Sequence, residues 1–115
     1  MKIVKLREGD TYTPETDWKR VSLAGSKQVS IEYFEKPPGH SSPMHCHPSE
    51  QVSIVLKGHM QVRTADGESA VLDHGDSAWF APNEEHCIEN VGEHGAIGID
   101  IFTPARPFDF WKKKR

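Results

Sequence analysis

The sequence is poor in features that would place it in a membrane, on nucleic acid or in an oxidising compartment. No apolar run approaches the roughly 20 residues that a membrane-spanning helix needs, and the opening Met1 to Arg7 has no signal-peptide apolar core. Positive charge is not in surplus. The formal net charge of -3 leaves no global field to draw in nucleic acid, and the single basic cluster, Lys112 to Arg115, reads as a solvated end. Cysteine is scarce as well: Cys46 and Cys87 are expected to be reduced thiols in a cytoplasmic protein. Sustained helical periodicity is missing.

What is there instead is a series of short alternating segments, rich in β-branched and aromatic residues and punctuated by Gly, Pro and Asp. That pattern predicts an all-β fold. Val29 to Phe34 alternates until Pro37-Pro38-Gly39 stops it. Val52 to Leu56 is a nearly continuous apolar strand closed by Lys57-Gly58, and Met60 to Thr64 follows as the expected second arm of a hairpin. Ala65-Asp66-Gly67 and His74-Gly75-Asp76 mark two further hairpins, leading to Ala70 to Leu72 and to Ser77 to Ala81. Cys87 to Val91 and Ala96 to Phe102 complete the set, with shorter strands expected at Ile3 to Leu6 and Trp18 to Leu23. Strands at this spacing in 115 residues fit a small sandwich or barrel in a single domain. The aromatic end, Phe108 to Trp111, is expected to dock, for example on a neighbouring subunit.

The chemistry-bearing residues are histidines. In an extended segment the side chains of His45 and His47 leave one face and that of Cys46 the other. With Gln51 following and His86 brought back beside them, they would form a cage for one divalent transition metal. Cys46 and Cys87 each neighbour a candidate ligand, so their thiols should point away and pack as small buried apolar groups.

These residues fall in a known pattern. Gly39, His45, His47, Gln51 and Gly58 fit the spacing G-x5-H-x-H-x3-4-E-x6-G, and Gly75, Pro82, His86 and Asn90 approximate G-x5-P-x-G-x2-H-x3-N. On these two motifs the chain resembles the cupin superfamily, whose fold is the double-stranded β-helix or jelly roll, a single barrel. Gln51 stands where that family most often has Glu. Glu50 is one residue off, and alternation lets only one of the two face the cavity; the spacing to Gly58 selects Gln51. Asn83 replaces the second motif's glycine and tolerates the positive φ that the turn would need. The resemblance implies one cupin domain over residues 1–115. It would comprise N-terminal strands in 1–25, the first motif at 39–58, the second at 75–90 and an aromatic and basic tail at 107–115. The implied metal ligands are His45, His47, Gln51 and His86.

Within the superfamily, the stretch Asp100-Ile101-Phe102-Thr103-Pro104-Ala105-Arg106 is similar to the D-x-F-x-P-x-R ending of small cupins of pectin and alginate degradation that act on 4,5-unsaturated uronates. Carried over by position, this implies a metal-dependent isomerase. The metal would bind substrate oxygens, Arg106 would pair with the carboxylate of a sugar acid, Asp100 would move a proton and Phe102 would shape the wall. Three neutral imidazoles and a carboxamide cancel none of the ion's charge, which suits a Lewis acid; Mn, Fe, Co, Ni, Cu and Zn all accept such ligands.

The residues alone leave alternatives open. On the last strand Ile97, Ile99 and Ile101 share one face and Gly98, Asp100 and Phe102 the other. Either the isoleucines fill the core and Asp100 is solvated, or Asp100 and Phe102 face a cavity. In the second case the isoleucines need cover from the N-terminal strands or from a second subunit, which predicts a homodimer. Arg106 reads equally as a surface charge. Ser53, Gln61 and Arg63 are lesser candidates, and of Trp79 and Phe80 one is expected in the core and the other at the cavity or an interface. Because cupins host many chemistries, a dioxygenase and a non-catalytic small-molecule-binding module stand beside the isomerase.

Overall fold

Residues 1–112 are described by a computed structural model. Among them the alternating segments form β1 (Thr11–Glu15), β2 (Trp18–Ser22), β3 (Ser30–Lys36), β4 (Glu50–Lys57), β5 (Met60–Thr64), β6 (Ser69–Leu72), β7 (Ser77–Phe80), β8 (His86–Asn90) and β9 (Ala96–Thr103). One helical turn, α1 (Asp109–Lys112), follows, and Lys113 to Arg115 of the basic cluster lie outside the described residues. The strands make a six-stranded sheet, β1-β2-β3-β9-β4-β7, and a three-stranded sheet, β6-β5-β8, all antiparallel. Trp18, Phe34, Val55 and Phe80 from the first meet Met60, Val62, Leu72 and Ile88 from the second in one core. This is the double-stranded β-helix that the motifs imply.

Two of the three turn signals do not close hairpins. β4 pairs with β9 and β7, whereas β5 pairs with β6 and β8, so Lys57-Gly58 is a corner between sheets. His74-Gly75-Asp76 is a second such corner, from β6 to β7; Ala65-Asp66-Gly67 does join paired strands. The turn needs the same backbone in either case, Gly58 and Gly75 both having φ near +90° (90 and 88), so the local sequence does not distinguish them. Asn83 has a φ of 63°, as its place in the second motif predicts. Ile3 to Leu6 forms no strand, the first being β1.

The alternation in β9 resolves in favour of the cavity. Ala96, Gly98, Asp100 and Phe102 are buried and face inward, while Ile97, Ile99 and Ile101 are half-buried on the outer face. β3 has the same polarity, with Glu32, Phe34 and Lys36 inward and Ile31 and Tyr33 outward. Register pairs Ile31 with Ile101 and Tyr33 with Ile99, and β4 sets Val52 and Ile54 against the same isoleucines, giving an apolar outer band. The N-terminal strands prolong this sheet at its edge instead of covering its face. Phe80 is buried in the core and Trp79 is exposed.

Gly98 is where packing leaves no room. A Cβ there would stand 2.4 Å from Cζ of the buried Phe34, which lies across the strand. Gly98→Ala should therefore destabilise the fold by about 2 kcal/mol, read as a lower urea midpoint at unchanged m-value. An unchanged midpoint would mean that the Phe34 ring has space to move.

Candidate metal centre and cavity

The three histidines are brought together by backbone pairing. The segment after β3 runs along β8, with His45 N–H to His86 O at 3.0 Å and His86 N–H to His45 O at 2.9 Å. The ring centroids of His45, His47 and His86 lie 4.6 to 5.7 Å apart, and their potential donor atoms all fall within 4.8 Å of one another. Each Nδ1 is held by a carbonyl: His45 by Pro43 at 2.8 Å, His47 by Ser49 at 2.8 Å and His86 by Glu84 at 2.7 Å. A carbonyl only accepts, so Nδ1 carries the proton and each Nε2 presents a lone pair.

Gln51 completes the set. Its Oε1 lies 2.9 Å from His47 Nε2 and 3.1 Å from His86 Nε2. Its amide nitrogen donates to Ser53 Oγ at 2.9 Å, so the atom turned to the imidazoles is an acceptor. Burial pushes the His45 pKa down to about 4 and lowers that of His86, which favours the neutral form of those two rings. Converging donor atoms of this kind fit a cation. The nitrogen and oxygen donors suit a divalent transition metal, and they are the four ligands the motifs name. Cys87 is buried, but Cys46 is exposed, not buried as its neighbourhood predicted. Alternation turns its thiol away from the histidine face, and no core lies there to receive it.

Behind Gln51 stands a row of polar side chains set by strand register. Glu32 pairs with Asp100 across β3 and β9, and Asp100 with Ser53 across β9 and β4. Ser53 Oγ donates to Asp100 Oδ1 at 2.6 Å, and Arg20 donates through Nη2 to Asp100 Oδ2 at 2.6 Å and through Nε to Glu32 Oε1 at 2.8 Å. Arg106 Nη2 and Trp111 Nε1 also donate to Glu32, at 3.2 and 2.7 Å. All four charged groups are buried. Burial alone would raise the Asp100 pKa, but Arg20 and the Ser53 hydrogen bond outweigh it and the net shift is downward. Burial would likewise lower that of Arg20, and Asp100 with Glu32 reverses the sign. Asp100 and Arg20 are thus each held in the charged form by the other.

Asp100, Phe102 and Arg106 line one cavity of about 230 Å³ together with His45 and Gln51. The Arg106 guanidinium is 4.0 Å from the Phe102 ring centroid and 4.5 Å from that of Phe110, so it is no surface charge. The aromatic tail docks on its own chain: Trp111 stacks on Tyr12 at 5.7 Å and meets Trp18 edge-on at 5.9 Å. Ser53 is in the network, whereas Gln61 and Arg63 lie on the other sheet, away from the cavity lining, with Arg63 beside Glu89. Glu50 points outward and accepts from Trp79 Nε1 at 3.1 Å.

Arg20, Glu32 and Lys36 were missed from sequence. The available signal was parity, since Glu32 and Lys36 flank the core residue Phe34. Lys36 is 3% exposed, and burial, followed by Arg20, lowers its pKa from 10.5 to about 8. The folded state therefore gives up this proton more readily than the unfolded chain. The charged lysine costs stability below pH 8, and the cost fades as pH rises toward 10.5. Lys36→Met should stabilise the protein by about 2–3 kcal/mol at pH 7. The gain should shrink above pH 8 in paired urea titrations. Equal midpoints at pH 7 would show that the amine is well hydrated.

Comparison with known proteins agrees with this architecture. A cupin from Shewanella frigidimarina described as RmlC-like superposes with a TM-score of 0.82 at 28% identity, covering 96% of both chains. KdgF from Halomonas sp. superposes with a TM-score of 0.82 at 22% identity over 92% of this chain and 96% of its own. The polyketide cyclase RemF from Streptomyces resistomycificus does so at 0.76 and 22% identity over 93% and 82%. The tetracenomycin polyketide synthase protein TcmJ from Streptomyces glaucescens is 28% identical over 87 residues, 75% of this chain; the chain spans 58% of the length of TcmJ. The cupin domain family matches residues 32–102, more than half of the sequence, a span that includes His45, His47, Gln51 and His86. The chain belongs to the cupin family.

Proposed function

We propose that this protein is a metal-dependent cupin that opens and ketonises a small 4,5-unsaturated uronate, with His45, His47, Gln51 and His86 holding the metal. One observation carries the reading: Asp100, Phe102 and Arg106, matched to the D-x-F-x-P-x-R ending from sequence, converge on the cavity that His45 and Gln51 also line. Its volume of about 230 Å³ is below the roughly 300–1,000 Å³ of drug-sized pockets and suits a single sugar ring.

A divalent cation held by these ligands would polarise substrate oxygens and offset the negative charge that develops on an enolate. The chain's own groups supply the rest. Arg106 offers a substrate carboxylate the Nε–H that Glu32 leaves unpartnered. Phe102, between Arg106 and His47, is the flat wall against which a sugar ring lies. Ring opening removes the proton of the anomeric hydroxyl as the ring C–O bond breaks and leaves an enolate, which becomes a ketone when that proton is delivered to carbon. The ionised Asp100 takes the hydroxyl proton as a base and returns it to carbon; Ser53 and Arg20 fix its position. The apolar outer band of Ile31, Val52, Ile54, Ile99 and Ile101 is covered by a second copy of the chain in this reading.

A second reading has its own observation. The rings of Tyr12, Trp18, Phe102, Phe110 and Trp111 line the cavity, and likeness to TcmJ and the polyketide cyclase RemF would fit a flat polycyclic substrate. The small volume and the buried cations favour the sugar acid.

Metal-replete protein should bleach the conjugated-ene absorbance of an unsaturated uronate faster than buffer does. Asp100→Ala should slow it by about 100-fold or more, with circular dichroism confirming the fold and Asp100→Asn as the isosteric control. No acceleration with any divalent metal would sink the isomerase assignment. Light scattering tests the assembly: a dimer is expected, and a monodisperse monomer would remove the second copy from this account.

A further inference from the structure

The buried charges of the cavity do not cancel. Arg20 and Arg106 are matched by Glu32 and Asp100 through ion pairs of 2.6 to 3.2 Å. Lys36 is left over. Its ammonium is buried, and among the described residues no carboxylate lies within ion-pair distance of it; one N–H is donated to the Ile88 carbonyl at 2.8 Å. Its Nζ lies 5.9 Å from the Trp18 ring centroid and 5.6 Å from that of Phe34, on a different part of the wall from the rings that hold Arg106. His40 stacks on the same Trp18 at 4.4 Å and keeps a buried Nδ1 with no hydrogen-bond partner among the described residues. Lys36 and His40 both line the cavity.

A buried cation without a counter-ion is costly, and a methionine of similar length would fill the same space without that cost. Keeping the charge on a cavity wall makes sense for a ligand that brings the opposite sign. We propose that Lys36 is a ligand-binding residue of this cavity that takes a carboxylate oxygen of a small organic acid, with the His40 ring beside it as a second polar contact. The proposal rests on the reading that the cavity receives a sugar acid, and it assigns the acid's charge to Lys36. Arg106, already neutralised by Glu32, then contributes direction through its free Nε–H. The other charged and titratable groups that act on Lys36 are Arg20 from β2, Asp100 from β9, and Cys87 and Glu89 from β8. They leave the amine charged at neutral pH, as anion binding requires.

The test is calorimetric titration of metal-replete protein with D-galacturonate and with neutral D-galactose. Wild type should bind the acid about tenfold or more tightly than the neutral sugar. Lys36→Met should lose about that factor for the acid alone, and Lys36→Arg should keep part of it. A second readout needs no turnover: cyanate at pH 8 should carbamoylate Lys36, mapped by mass spectrometry, and galacturonate should protect it while galactose does not. The proposal is overturned if wild type shows no preference for the acid, if Lys36→Met binds the acid as wild type does, or if the acid leaves Lys36 labelling unchanged. Acid binding that depends on Lys36, in a protein that does not turn over unsaturated uronate, would sustain this inference and sink the isomerase reading. Turnover with acid binding indifferent to Lys36→Met would do the reverse.

Discussion

The cavity depends on one row of side chains, Glu32, Asp100 and Ser53, laid across three adjacent strands and bound together by Arg20. Buried ionised groups are tolerated only when their hydrogen-bonding capacity is met, and here each carboxylate oxygen of Asp100 has a donor at 2.6 Å. A one-residue slip of β9 would turn Asp100 and Phe102 out to solvent and bring isoleucines in, leaving Arg20 with one partner fewer in a dry interior. The network therefore sets the register of β3, β9 and β4. It also reaches the histidine cluster, because Ser53, fixed by Asp100, accepts the Gln51 amide N–H and so turns Oε1 toward the histidines. Ligand geometry and strand register are parts of one arrangement.

The histidine cluster was legible in the sequence because it follows a spaced motif: two histidines on one strand face, a glutamine four residues on, and a third histidine at the head of a later strand. The sheet pairing was less so. Lys57-Gly58 and His74-Gly75-Asp76 carry genuine turn residues, yet the strands they join belong to different sheets. Only long-range pairing with β9 and β8 decides that, and no turn residue encodes it. The polarity of β3 runs against its composition. Ile31 and Tyr33 look like the core face of an alternating strand, while Glu32 and Lys36 look like its wet face. Reading β3 beside β9 would have exposed the inversion, since both place apolar residues at one parity and charge with a large aromatic at the other. Two paired strands sharing that pattern mark an outer apolar band and an inner polar cavity.

The C-terminal tail illustrates the same limit. Its aromatic content announced a docking element, but the dock is 79 residues back in the chain, where Glu32 accepts the Trp111 indole N–H. Nothing near Trp111 in sequence names that partner. Once seated, the tail both closes the wall against Tyr12 and Trp18 and supplies another donor to the buried carboxylate.

The departure at Gln51 from the motif's usual glutamate follows from the same network. The Ser53 hydroxyl has one proton and gives it to Asp100, so toward residue 51 it offers only lone pairs. A carboxamide can meet those lone pairs with an N–H while keeping an oxygen turned to the histidines. An ionised glutamate there would set acceptor against acceptor one hydroxyl away from a buried carboxylate, and one of the two acids would have to take up a proton. Asp100 and Gln51 are thus coupled choices: a buried ionised aspartate behind Ser53 calls for an amide in front of it. The consequence reaches the chemistry, because a neutral ligand leaves a bound dication's charge undiminished beside a cavity that already holds one unmatched cation. The ligand this cavity would hold most strongly is an anion.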